Sequence, residues 1–152
     1  MLSTPHIVTG IAIASKTTNP LLAIPLSFMS HFILDMVPHW NPHLNTEMRT
    51  YGKITNKSKT IIILDTVIGG AIVLVATLTA KSPEAAFLSF ACASAAILPD
   101  ALEAPYFFLH WKTKFIMKWI AFQKAMQSDA NVFWGTLTQV ITVLAAVLWM
   151  RG

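Results

Sequence analysis

The chain has 152 residues, of which 55% are hydrophobic and only 12% charged, against about 25% charged in ordinary soluble domains. So few charges cannot cover the surface of a soluble protein of this size, and a mean hydropathy of +0.58 points the same way. The net charge of +4 comes from eleven basic and seven acidic residues; in so lipophilic a chain it reads as topology charge and attraction to a membrane surface, with no nucleic-acid partner.

The length fits one domain over residues 1–152. The single cysteine, Cys92, excludes an intrachain disulfide and a thiolate site built on CxxC pairs. Met1 to His6 carries no Lys or Arg and Ile7–Ala14 is a short apolar run, so the start of the chain does not read as a secretory signal.

Thr4-Pro5-His6 predicts a helix start, with a capping threonine and a first-turn proline ahead of an apolar run to Ser15. Lys16 to Pro20 predicts a turn. Leu21 to Met36 predicts a second helix that Pro38 ends. Both helices are short against the roughly 20 residues that cross a bilayer, so a tilted or re-entrant pair is expected. The stretch 39–59 is polar and predicts a loop or a short surface helix.

Thr60 to Ala80 is the clearest membrane span, with one charge, Asp65, and a Gly69-Gly70 pair that lets another helix approach. Ser82-Pro83-Glu84 starts a helix rich in alanine and serine, which ends at Leu98-Pro99-Asp100. Segment 105–129 mixes Tyr106, Trp111 and Trp119 with Lys112, Lys114, Lys118 and Lys124, the pattern of an amphipathic helix in the interface. Asn131 to Met150 is a charge-free span between Trp134 and Trp149. The expected fold is an all-α, polytopic membrane bundle of four to five membrane helices plus an interfacial amphipathic helix.

With five helices and alternating loops, segments 37–59 and 105–130 carry eight Lys/Arg, while Lys16, Lys81 and Arg151 fall on the other side. The positive-inside rule then places the N-terminus and both basic segments in the cytoplasm. That topology brings His6, His31, Asp35, His39, Asp65, Asp100 and Glu103 to one membrane level. Four of the seven acidic residues belong to this set. Carboxylates at one level repel one another unless protonated or neutralised, and histidines nearby point to a metal ion.

His31 and Asp35 lie four residues apart, on one face of a helix, and with His39 and His43 they put three histidines and a carboxylate within thirteen residues. The candidate ligands are His6, His31, Asp35, His39 and Asp100. The plainer alternatives are a helix-end pair bonded to backbone and water for His31 and Asp35, a turn residue for Asp100, and an interfacial imidazole for His6. Asp65, set in an Ile-Ile-Ile-Leu run, is a candidate catalytic carboxylate or one that orients a ligand histidine. Glu103 is a candidate general base; the plain alternative is a solvated glutamate at a helix end. His43 and His110 are loop histidines.

Through His31-x-x-x-Asp35, Thr4-Pro5-His6 and Leu98-Pro99-Asp100, the chain resembles a family of small bacterial and archaeal membrane proteins described as predicted membrane-bound metal-dependent hydrolases. These are thought to be distantly related to zinc-dependent phospholipase C and the single-strand-specific zinc nucleases. The resemblance implies a helical bundle with His6, His31, Asp35 and Asp100 as ligands. The block order differs from the family's, with His-x-x-x-Asp ahead of Pro-Asp, and the family's His-Arg…Thr-His-Ser block is missing.

The leading expectation is an integral membrane hydrolase of a prokaryotic cytoplasmic membrane. It would use one or more divalent metals, zinc first, to activate water against a phosphoester of a lipid or lipid-linked substrate. Two other classes stay open: a cation or proton carrier, and a small structural membrane protein. Phosphate-binding glycine loops and G-x-S-x-G are missing from the chain.

Overall fold

The computed structural model describes residues 1–152 as eight α-helices: α1 Ser3–Lys16, α2 Pro20–Met36, α3 Leu44–Tyr51, α4 Asn56–Leu78, α5 Pro83–Ala101, α6 Ala104–Leu109, α7 Lys114–Met126 and α8 Val132–Arg151. The only bridge between extended segments pairs His39 with Asp129. The all-α expectation holds.

Three helices, α4, α5 and α8, are long and apolar enough to cross a membrane, and α2 is a shorter apolar helix. Their outward faces expose Ile63, Val67, Leu74, Val140 and Leu148, among other large apolar side chains. In water that surface would drive aggregation; against lipid it is the favoured face. Of the four to five membrane helices expected, the fifth is α1, and it is of a different kind. Its 14 residues extend about 21 Å, short of the roughly 30 Å hydrocarbon core. It packs against α2, α4, α5 and α8 together and buries nine residues from Pro5 to Ala14. It is therefore the core of the bundle, screened from lipid by its neighbours.

Small residues let it sit there. A Cβ placed on Gly10 would fall 2.6 Å from the Cys92 carbonyl oxygen, so α1 and α5 touch backbone to backbone. Of the Gly69-Gly70 pair only Gly69 serves helix packing, against Ile7; a Cβ on Gly70 would meet open space.

The helix starts are side-chain capped where the sequence supplies a capping residue. Asn19 accepts from Leu21 N, Thr55 from Ser58 N, Ser82 from Ala85 N, Thr113 from Ile116 N and Asn131 from Trp134 N. Helices α1, α3 and α6 lack such a cap, and α1 corrects the expectation for Thr4. Its N-cap position is Leu2, which offers no side-chain cap. The orphan N–H groups instead reach other helices: Leu2 N donates to Gln139 Oε1 at 2.9 Å, and Ser3 N to Asp65 Oδ2 at 2.6 Å.

Two further boundaries differ from expectation. Helix α5 runs through Pro99 to Ala101, so Asp100 is a last-turn helical residue and not a turn residue. Segment 105–129 is two helices, broken at His110, whose φ is +57°.

Candidate metal centre

The start of α1 lies between Asp65, inside α4, and Gln139, inside α8, next to the ends of α2 and α5, and His39 follows α2. The histidines and carboxylates placed at one level by charge counting are thus neighbours in space.

His6, His31 and Asp100 form the group that can hold a metal ion: one ligand atom from each lies within 4.8 Å of the others. The two imidazoles stack, with centroids 4.1 Å apart. Asp35 sits beside them. Its Oδ1 lies 3.3 Å from His6 Nε2 and 3.7 Å from His39 Nε2, and its Oδ2 lies 3.5 Å from His31 Nε2. His31 Nε2 is also 3.6 Å from Asp100 Oδ1. His6, His31, His39 and Asp35 are all buried; Asp100 is half-buried.

Three observations test whether a metal suits this set. First, both ring nitrogens of His6 are buried and neither makes a well-aligned hydrogen bond; Asp35 Oδ1 stands 3.3 Å from Nε2, and Nδ1 has no partner. Buried polar atoms left unpaired are costly, and a ligand is the common remedy. Second, His31 Nδ1 lies 2.8 Å from the Ala96 carbonyl, which can only accept, so Nδ1 carries the proton. That leaves Nε2 facing oxygens of Asp35, Asp100 and Gln123. A nitrogen lone pair ringed by acceptors requires either a second proton or a cation. Third, the 3.3–3.7 Å separations exceed most N–H···O hydrogen bonds. The His31–Asp100 separation of 3.6 Å, between two members of the three-residue group, is close to the edge of about 3.4 Å that a tetrahedron with bonds of about 2.1 Å possesses. The donor set fits a divalent ion that accepts nitrogen and oxygen ligands.

The sequence explains the local geometry. Pro99 lacks an N–H, so the carbonyl one turn back loses its ladder partner. The adjoining Ala96 carbonyl accepts from His31, and the Pro99 carbonyl accepts from Trp119 Nε1 at 2.9 Å and Gln123 Nε2 at 3.0 Å. The bundle uses this irregular stretch of α5 to hold the site.

Gln123 carried no sequence signal beyond a polar position on α7. It is buried, with Oε1 3.1 Å from His31 Nε2 and Nε2 donating to Glu103 Oε1 at 2.7 Å. Gln127 donates to Asp35 Oδ2 at 3.3 Å, and the amino group of Met1 donates to Asp35 Oδ1. Gln139 accepts from Leu2 and donates to the Trp40 carbonyl at 2.7 Å. These three glutamines tie α1, α2, α5, α7 and α8 together around the ligands.

Glu103 lies just beyond α5, three residues after Asp100. Burial, and then the Asp100 carboxylate, push its carboxyl up to about 7, against the opposing hydrogen bond from Gln123. It shares a polar cavity of about 160 Å³ with Asp65, Asp100, Asn41 and Lys124. Asp65 is buried at the same end, but its carboxylate is committed to Ser3 N and, at 3.3 Å, Thr4 N. It holds the helix that carries His6 and stands outside the three-ligand group.

His39 donates from Nδ1 to the Val37 carbonyl at 2.8 Å, which points Nε2 at Asp35. Burial, and then the Met1 amino group, hold His39 below the ordinary imidazole range, so the ring is neutral. Its backbone is fixed by His39 N to Ser128 O and Ala130 N to His39 O. His43 is exposed in the polar loop, on the rim of the cavity, and His110 is exposed between α6 and α7.

Comparison with protein families, with characterised proteins and with solved structures finds no match.

Proposed function

We propose that the chain is a membrane-embedded metal-dependent hydrolase acting on a phosphoester of a lipid or lipid-linked substrate. The observation that carries the reading is the buried imidazole of His6, without a well-aligned hydrogen bond, beside His31 Nε2 and Asp100, with ligand atoms of all three within 4.8 Å of one another. A mixed nitrogen and oxygen donor set is the ordinary environment of zinc.

When bound, a divalent ion supplies Lewis acidity that makes water nucleophilic at neutral pH. His6, His31 and Asp100 would hold it, and Asp35, beside His6 and His31, would position both imidazoles. Glu103, protonated only below about pH 7, takes the proton from water as the general base. Gln123 links that carboxylate to His31 and keeps both in register. Of these residues Asp100 and Glu103 line the cavity shared with Asn41, His43 and Lys124, where a phosphate can enter from the polar side.

The eight Lys/Arg of segments 37–59 and 105–130, against three at the far end, support a site on the cytoplasmic face. A cation carrier needs polar groups through the full depth. The far end here is closed by Ile13, Ala14, Ala23, Leu88 and Cys92, which favours the hydrolase reading.

The test is metal analysis of detergent-purified protein beside His31→Ala and Asp35→Ala, followed by hydrolysis of a chromogenic phosphodiester with and without EDTA. Near-stoichiometric zinc lost in the His31 variant, with EDTA-sensitive turnover, is the expected result. Metal-free protein that zinc neither activates nor stabilises overturns the reading.

A further inference from the structure

A second, larger recess runs from the site into the membrane-spanning part of the bundle. It is a groove of about 780 Å³ between α4 and α5, walled by Ile62, Gly70 and Thr77 on one side and Phe90, Ser94 and Ile97 on the other. From Ile62 to Thr77 it follows α4 for about 22 Å, longer than the roughly 15 Å of one leaflet's hydrocarbon. Its site end is formed by Asp100, Glu103 and Phe107, and these three also line the polar cavity. One recess is apolar and lies between spans; the other is polar and holds a metal ligand; they join at Asp100.

We infer that the α4–α5 groove binds a single hydrocarbon chain of a membrane amphiphile whose phosphorylated head lies in the polar cavity. The inference deepens the proposed function and rests on it for the phosphoester; the chain-binding groove stands on its own geometry. Two features select this occupant. The polar cavity, about 160 Å³, is smaller than the 300–1,000 Å³ of ordinary ligand pockets, so it takes a headgroup and leaves the remainder of the molecule outside. The adjoining volume is lined mainly by apolar side chains at bilayer depth, where a hydrocarbon chain can enter sideways between two spans. A helix from a second copy is a poorer fit, because the groove ends on two carboxyl groups that a hydrophobic helix would leave unpaired.

Gly70 makes the groove testable. It is exposed, and a Cβ there meets no protein atom within 4 Å, so Gly70→Trp adds an indole to the groove wall from a position with room at its base. Ser94→Trp does the same from α5, where Ser94 is exposed and makes no side-chain hydrogen bond.

The experiment uses the full chain in lipid nanodiscs with a lysophosphatidate carrying a photoactivatable diazirine in its acyl tail. Cross-links are mapped by mass spectrometry, with zinc and with EDTA. The expected result is labelling of groove-wall peptides of α4 and α5 at least tenfold above the lipid-facing α8 residues Val140, Ile141 and Leu144. Both tryptophan variants reduce it to the α8 level at unchanged melting temperature. Labelling spread evenly over α4, α5 and α8, or unmoved by either variant, overturns the inference. Groove labelling without EDTA-sensitive hydrolysis of the same lipid removes the hydrolase and leaves the groove. Turnover without groove labelling does the reverse.

Discussion

The Nδ1–H of His31 is committed to the Ala96 carbonyl at 2.8 Å, and this one bond decides what the rest of the ring can do. Nε2 is left as the free nitrogen, aimed at Asp35, Asp100 and Gln123. His31→Ala and Asp100→Ala each remove a ligand and should abolish retention of zinc through gel filtration. Gln123→Leu keeps the ligands but loosens His31 and Glu103, so zinc affinity should fall by about 10–100-fold. Zinc at 100 times its dissociation constant should stabilise the wild type by about 2.7 kcal/mol and leave His31→Ala unmoved. Equal zinc stabilisation of wild type and His31→Ala would show that the ion sits elsewhere.

Asp65 was expected to serve the reaction or to orient a histidine. In the fold its carboxylate caps α1, with the negative charge at the positive end of the helix macrodipole. A cap can be replaced by a neutral acceptor, whereas a catalytic carboxylate cannot. Asp65→Asn should therefore keep zinc binding and most turnover, with a loss of about 1 kcal/mol. Asp65→Leu should cost more, because two half-buried N–H groups lose their acceptor. Urea or thermal melts read the first effect and zinc titration the second; complete loss of turnover in well-folded Asp65→Asn would restore the catalytic role.

The Glu103 carboxyl is raised from 4.5 to about 7. In metal-stripped protein the folded state therefore binds more protons than the unfolded state across that window, and stability falls as pH rises through it. The contribution is complete below about 4.5 and lost above about 7. Glu103→Gln should flatten this limb, so the variant gains on the wild type between pH 5 and pH 8. Turnover has the opposite sign, since a proton acceptor must be ionised: kcat/KM should rise through about pH 7 and the rise should vanish in Glu103→Gln. Zinc, by neutralising Asp100, should move the midpoint down. A profile that keeps its rising limb in Glu103→Gln assigns the base to another group.

Hydropathy made the spans legible, because an apolar run such as Thr60 to Ala80 has few other uses, and α4 covers it from Asn56 to Leu78. Charge counting at the helix ends made the level of His6, His31 and Asp100 legible before any coordinates. What stayed hidden depends on partners distant in sequence. The capping role of Asp65 needs Ser3, 62 positions away, and that of Gln123 needs His31, 92 positions away. A polar amide on a lysine-rich amphipathic helix looks like a solvated residue until α7 is docked. The break at His110 was illegible for a local reason: a non-glycine residue in the left-handed region carries no reliable sequence mark.

Gly10 and Gly70 make a matched pair. Each lies inside a helix, where glycine is about 0.5–1 kcal/mol worse than alanine. At Gly70 the added methyl meets nothing, so Gly70→Ala should stabilise by up to that amount. At Gly10 it meets the Cys92 carbonyl oxygen at 2.6 Å and Ala96 Cβ at 3.1 Å. Neither is the end of a flexible side chain, so α1 must move off α5. Overpacking of that kind costs about 1–3 kcal/mol. The strain also reaches the candidate metal centre, since Ala96 holds His31 and α1 carries His6. Gly10→Ala should therefore lower the melting temperature and weaken zinc binding together, whereas Gly70→Ala should raise the first and leave the second alone. A Gly10→Ala protein with unchanged melting temperature and full zinc affinity would place α1 farther from α5 than the fold described here.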